Sequence, residues 1–465
     1  MKRCYRFKIL WLFSLILLMG CQTTRSNVEF ELETKPPQEW VEKEAIKGAV
    51  LDGWLKDFND NQLENIVEEA INKNFDLQTA AANLDIAQQN AIKAGALLKP
   101  IVNLGGKASR SENLTDNITE NVTKGVSLDI SWEVDIWGRI RALKTAAKRE
   151  VEAVTADYEF ARRSLAAQTA KSYFLAIEAK LQMELANSFV DNFQEILRIV
   201  EAKYEAGSVS RQDVHLATAD LVSAKETSTQ AKGAYEQSLR SLELILGRYP
   251  SKDIDVADDL PHIPGVVPAG LPSDLLERRP DIIAAKNRVE AAFKKKEEAK
   301  KAKLPRIALT SSVGYSSSEL TEVINLKQAG ANLAANFLAP IFDGGRLEAD
   351  VQIANAKQRQ AVAQYNKTAL NAFGEVETAL SNEEIFAQRE SYLKQILNEN
   401  VEALKIAQIQ YDNGAIDLLS VLQLQMRADN SKINFLSIRD ARLIQRINLY
   451  LSLGGNFRKR ESSYE

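Results

Sequence analysis

The same arrangement of residues occurs twice in this chain, 207 positions apart. Gly138-Arg139-Ile140 recurs as Gly345-Arg346-Leu347. The same step carries Tyr158 to Tyr365, Tyr204 to Tyr411, Gly207 to Gly414, Val214 to Val421 and Leu246-Gly247 to Leu453-Gly454. Nearer the start of each half the step is 205, pairing Asp76-Leu77 with Asp281-Ile282 and Pro100 with Pro305. The two-residue slip therefore falls between the proline and the Gly-Arg pair, where loops absorb insertions. An offset held this far marks a tandem duplication, so whatever one half folds into, the chain builds twice.

Each half reads the same way. A helix of about 35–40 residues should run up to Pro100 or Pro305, followed by a polar stretch rich in Gly, Ser, Thr and Asn. A very long helix should then span Arg139 to Ala206 and Arg346 to Asn413; the first holds neither Gly nor Pro, the second only Gly374. At 1.5 Å per residue each would reach about 100 Å, a length that calls for coiled-coil support. A turn at Gly207 or Gly414 sends the chain back along a second helix. Its seam of Val214, Ala217, Leu221, Ala224, Ser228, Ala231, Tyr235, Ser238, Leu242 and Ile245 keeps 3,4 spacing throughout, as coiled coils do. A soluble coiled coil accounts for that seam equally well.

The stretches between proline and Gly-Arg pair change period. Val126, Leu128, Ile130 and Trp132 alternate with Ser127, Asp129 and Ser131. Ile307, Leu309, Ser311, Val313 and Tyr315 alternate with Ala308, Thr310, Ser312 and Gly314. Period two means strand. Two strands fit in each stretch, joined by loops near Ser111–Asn121 and Ser316–Leu326, with the length of about 9–11 residues that suits an outer-membrane barrel. Four strands cannot close such a barrel, and open edges are not tolerated in lipid. Three protomers would supply twelve strands, with twelve long helices below them.

The N-terminus reads as a targeting segment: Lys2, Arg3, Arg6 and Lys8 precede the apolar run Ile9–Met19, as in a secretory signal. It ends in Leu18-Met19-Gly20-Cys21, which resembles the bacterial lipobox, whose cysteine is acylated after cleavage. An ordinary signal peptide or short anchor is the alternative. By the resemblance to bacterial lipoproteins, Gln22 in place of aspartate favours the outer membrane over retention at the inner one. Cleavage would remove four basic residues, taking the net charge from −4 to −8, and leave Cys21 as the sole cysteine. No later segment offers about 18 unbroken apolar residues, so a spanning structure would have to be a β-barrel.

Function classes narrow by composition. There are two histidines, His215 and His262, and two N-terminal cysteines. That leaves little for a His/Cys metal site or a histidine-assisted nucleophile. No basic excess argues for nucleic acid, and no phosphate-cradling loop is present. The chain is therefore expected to be no enzyme and to need no cofactor or metal.

Several long motifs then align with one family. Trp54, Phe58, Asp60, Leu63, Ile66, Ala70, Asn74 and Asp76-Leu77 open the first half. Gly270-Leu-Pro-Ser-Asp-Leu-Leu-Glu-Arg-Arg-Pro-Asp281 opens the second, and Ser131-Trp-Glu-Val-Asp-Ile-Trp-Gly-Arg139 and Ala339-Pro-Ile-Phe-Asp-Gly-Gly-Arg346 mark the strand-to-helix junctions. In these the chain resembles the TolC family of outer-membrane efflux proteins, particularly its lipoprotein branch, over nearly the whole mature length. The resemblance implies a mostly α fold with a β-barrel part: a homotrimer with a twelve-stranded barrel, a long helical tunnel and a mixed belt. It implies a signal peptide at 1–20, a lipid-anchored segment at 21–60, a first repeat at 61–250, an equatorial linker at 251–272, a second repeat at 273–455 and a tail at 456–465. It also implies a passive duct that exports small molecules. Its partners would be outer-membrane lipid, a periplasmic adaptor and an inner-membrane pump, proton-driven in this branch.

The resemblance places the periplasmic gate at the two helix turns, Tyr204–Val214 and Tyr411–Val421. Gly207 and Gly414 supply the left-handed helix ends. Tyr411 is expected to bond towards Gln212 and Asp213, latching one hairpin to the other; the plainer alternative is that Tyr204 and Tyr411 pack at helix ends and Asp213 caps a helix. Ile416 stands where the best-known member has an arginine, and Ser420 and Gln423 where it has mouth-narrowing aspartates. Asp417 is the nearby carboxylate, as a three-copy ring or as a solvated loop residue. A periplasmic coiled-coil adaptor or scaffold would explain the helices and lipobox but not the alternating segments.

Overall fold

The computed structural model describes residues 32–33, 35–42, 48–50, 52–113, 119–318 and 329–458. The signal segment and Cys21 lie outside the described residues, as does most of the tail. Every element below belongs to the unit Thr34–Glu465.

The first half contains a 3-10 turn Trp54–Phe58, α1 (Asn61–Lys73), α2 (Phe75–Ala96), β1 (Ile101–Asn113), β2 (Thr119–Val134), α3 (Arg139–Glu205) and α4 (Arg211–Ile245). The second contains short turns over Pro272–Arg278, then α5 (Pro280–Lys301), β3 (Arg306–Ser317), β4 (Gly330–Leu338), α6 (Arg346–Asp412) and α7 (Leu418–Ser452). The two long helices have 67 residues each and the two returning helices 35 each. Their ends fall within a residue of the expected ones.

The helix expected before each proline is a correction: in both halves it is broken. Asn74 adopts an extended backbone, and its side chain accepts from the amides of Asp76 and Leu77 at 2.9 and 3.0 Å, ending α1 and starting α2. In the second half Pro280 forces Arg279 out of the helical region, to ψ 122°, because the proline ring clashes with a helical predecessor. Three of the strands run longer than expected, β1 to β3 with 13, 16 and 12 residues, while β4 has 9.

Helix α3 is the spine; α1, α2, α4, α5 and α7 all pack on it. Its middle buries Ala166, Ala167, Ala170, Tyr173, Phe174, Ala176 and Ile177, and the alanines let neighbouring helices approach closely. The expected α4 seam faces inward, with Ala217, Leu221, Ala224, Ser238 and Leu242 buried. Around the middle the chain is knotted by side chains from both ends. Trp54 stacks on Tyr450, Phe58 meets Phe174 at 5.2 Å, and Trp40 Nε1 donates to the carbonyls of Ala269 and Gly270 at 3.2 Å. The inter-repeat segment buries Ile254, Val256, Leu260 and Val267. Polar ties hold it: Lys180 Nζ reaches Asp258 at 2.5 Å, and Arg446 donates to the carbonyls of Pro264 and Gly265.

The strands form one antiparallel sheet in the order β1-β2-β3-β4. β2 and β3 are joined in register through Leu128↔Val313 and Trp132↔Leu309, and β1 and β4 are left as edges.

Candidate functional site

Directly opposed residues in an antiparallel ladder share a face, so the register sorts the sheet into two. One face carries Val102, Leu104, Val126, Leu128, Ile130, Trp132, Ile307, Leu309, Val313, Tyr315, Leu333 and Phe337. The other carries Asn103, Lys107, Ser127, Asp129, Ser131, Glu133, Thr310, Ser312, Asn332 and Asn336. On the apolar face Leu104 is 77% and Leu333 80% exposed. An apolar face of this kind facing outward is costly in water and favourable against lipid. The polar face is internally bonded, with Ser127 Oγ and Ser312 Oγ donating to Asp129 at 2.8 and 2.6 Å. Among the described residues no helix is long and apolar enough to cross a membrane. A scaffold built of coiled coil alone would have no use for the sheet.

At the lower end of the sheet each long helix is started by an aspartate. Asp135 accepts from the amides of Ile140 and Arg141 at 3.1 and 2.8 Å, beside Gly138 at φ 74°. Asp343 accepts from Gly345 and Leu347 at 3.1 and 2.9 Å, with Gly345 at φ 88°. These side chains satisfy amides that a helix start leaves unpaired. Arg139 adds a clamp to Glu133 at 3.1 Å and Glu298 at 2.9 Å. Trp132 and Trp137 donate to the carbonyls of Leu98 and Pro305 at 3.0 and 2.7 Å. The tube is thus pinned to the sheet by both halves.

At the far end α3 and α6 turn back. Gly207 and Gly414 sit at φ 74° and 72°, and the amides that follow close both helices: Ser208 to Lys203 O and Ala415 to Gln410 O, each at 2.8 Å. The sequence-predicted gate residues gather here, though not in the expected bond. Asp213 forms a capping box with Ser210, whose amide and hydroxyl both donate to it at 2.8 Å. Asp417 caps α7 through the amide of Ser420 at 2.9 Å. The Ser420 hydroxyl and amide lower its pKa, so it stays ionised at the turn. Tyr204 is exposed on the outside of its turn. Gln212 is exposed. Tyr411 packs among Leu418, Val421 and Leu422, but its buried hydroxyl has no hydrogen-bond partner. The expected bond from Tyr411 to Gln212 or Asp213 is therefore not made within the protomer; the Asp213 carboxylate is drawn to Ser210 through its Oδ2 instead. Sequence reading passed over Lys203, whose ammonium lies 3.7 Å from the centre of the Tyr411 ring.

Comparison with known proteins gives the context for this geometry. The profile described as "Outer membrane efflux protein" matches residues 66–248 and 271–455. The toluene efflux pump outer membrane protein TtgF of Pseudomonas putida is 30% identical over 413 residues, covering 87% of this chain and 85% of that protein. The pyoverdine export outer membrane protein OpmQ of Pseudomonas aeruginosa is 29% identical over 466 residues, covering 97% of each. The crystal structure of the open state of the MtrE outer membrane channel of Neisseria gonorrhoeae superimposes with a TM-score of 0.84 at 26% identity, covering 95% of this chain and all of that one.

Proposed function

The chain belongs to the outer membrane efflux protein family, and from that premise we propose how its parts act as the outer-membrane channel of an efflux system. Three four-stranded sheets join edge to edge into a twelve-stranded barrel, with the apolar face towards lipid and the Asp129 face lining water. Helices α3, α4, α6 and α7 of the three protomers enclose the duct that reaches into the periplasm. Cys21 carries the lipid anchor, and residues 251–272 contribute to a belt around the helical tube.

The duct is passive: a periplasmic adaptor docks at the helix turns, and a proton-driven inner-membrane pump selects and drives the cargo. The mouth is the ring of turns bearing Gly207, Gly414, Tyr204, Gln212, Asp213, Tyr411 and Asp417. Cargo is a small molecule, of the kind that the names of relatives give as toluene or pyoverdine.

The observation that supports this reading best is a sheet with one apolar face, one polar face and two unpaired edges. Such a sheet is stable only when copies close it within a bilayer. The test is purification from membranes. The protein is expected to need detergent after alkaline washing, to run as a heat-modifiable trimer, to take up labelled palmitate unless Cys21→Ser is introduced, and to form pores in planar bilayers. A monomer soluble in water and without pore activity overturns the reading.

A further inference from the structure

Lys203 belongs to α3 and Tyr411 to α6, so their contact crosses from the first helical hairpin to the second. The ammonium stands 3.7 Å from the ring centre, well inside the range in which a cation is drawn to an aromatic face. The phenol hydroxyl of the same tyrosine is buried and unpartnered, and a buried polar group without a partner weakens a contact where a satisfied one would strengthen it. Asp213, the acceptor expected for it, is held by Ser210. The ring, and not the hydroxyl, therefore makes the contact between hairpins.

The duplication shows that this contact is particular to one turn. The residue equivalent to Lys203 in the second half is Gln410, which carries no charge, and the one equivalent to Tyr411 in the first half is Tyr204, 44% exposed. Of the two quasi-equivalent turns, only the second places a partly buried ring against a cation.

We propose that Lys203 is a gating residue: its ammonium, seated on the face of Tyr411, holds the second hairpin closed against the first. This rests on the channel reading above. Each such pair biases the closed arrangement over the parted one by on the order of fivefold, and the bias is repeated in every protomer. The Lys203 side chain also lies in the last turn of α3, where a positive charge favours the helix end, so the test must separate that role from gating.

The test is single-channel conductance of the full-length trimer in planar bilayers, with heat-modifiability checking that every variant assembles. Lys203→Met and Tyr411→Leu are each expected to raise conductance. Lys203→Arg and Tyr411→Phe should keep the parent value, because a cation and a ring remain. Combining Lys203→Met with Tyr411→Leu should add nothing to either alone. The proposal is overturned if Tyr411→Phe opens the channel, which would assign the hold to the hydroxyl. It is overturned equally if Lys203→Met conducts like the parent, or if the two substitutions add. A parent trimer that forms no pore overturns the channel reading itself, and the gating role with it.

Discussion

Trp54, in the first helical turn of the folded unit, lies flat on Tyr450 near the end of the last helix, with ring centres 5.7 Å apart and planes 13° from parallel. Tyr450 also donates from its hydroxyl to Asp57 at 2.9 Å. The beginning and end of the chain are thus closed on each other at the waist. Trp54→Ala removes a side chain only 2% exposed and should cost about 3–5 kcal/mol. Tyr450→Phe, which loses one hydrogen bond and keeps the stack, should cost about 1 kcal/mol. Thermal unfolding in detergent measures both; equal losses would show that the stack contributes little.

Asp440 on α7 is buried beside Glu178 of α3, and its Oδ1 has no hydrogen-bond partner. Burial first, and the Glu178 charge second, push its pKa from 3.8 to about 7. Glu178 is raised as well, by burial, although Ser437 and Gln182 donate to it. A carboxyl raised on folding keeps its proton in the native state after the unfolded chain has lost it. Its contribution is whole below pH 3.8, falls as the pH rises towards 7, and is gone above. Unfolding free energy should drop by on the order of 4 kcal/mol across that window. Asp440→Asn should flatten the slope and raise stability at neutral pH. A melting temperature that tracks pH identically in both proteins would exclude this origin.

Asp129 faces the interior of the proposed barrel and is held by two serines, so its charge has a fixed position. Asp129→Asn should reduce cation preference by about twofold, given the strength of a single charge across water at that range. The reversal potential under a salt gradient reads this directly. Stability should change little, since the amide oxygen can accept from one serine hydroxyl while the amide nitrogen donates to the other, whose O–H turns away.

Arg279 shows how the repeat boundary is fastened. It pairs with Asp281 and Glu375, each at 2.7 Å, and donates to the Ser452 carbonyl at 3.2 Å, with its side chain 5% exposed. Arg279→Met should cost about 3 kcal/mol, because it strands partners arranged around a buried cation. Arg279→Lys should recover little, since an ammonium cannot engage Asp281 through two nitrogens at once. Chemical denaturation of the three proteins provides the comparison.

Much of this architecture was legible in the residues. The absence of Gly and Pro between Arg139 and Ala206 fixed an unbroken helix, and alternation at Val126–Trp132 marked the strand and separated its apolar side from its polar one. The break at Asn74 was not legible as a break, because the apolar pattern continues across it and a capping side chain can start a new helix without a Gly or Pro to mark it. The break at Pro280 had its signal in the proline itself. At the two helix turns the residues expected to act together lie near one another, but the bond expected from Tyr411 is not made within the protomer. Ser210 and Asp213, three apart, carried the spacing of a capping box, which engages Oδ2 of the carboxylate expected to meet Tyr411. Lys203 escaped notice because only a three-dimensional neighbour, from the other repeat, gives it a role; its sole trace in the sequence is the mismatch with Gln410.

The unpaired outer strands β1 and β4 carry a kinetic consequence. The final step in building the wall is an encounter between molecules, so its rate depends on how many protomers share the same patch of membrane. Until that encounter, each newly delivered chain presents an oily surface and two sticky borders to the periplasm. Scarce expression would therefore lengthen a vulnerable interval in which shielding by chaperones and removal by proteases compete with insertion.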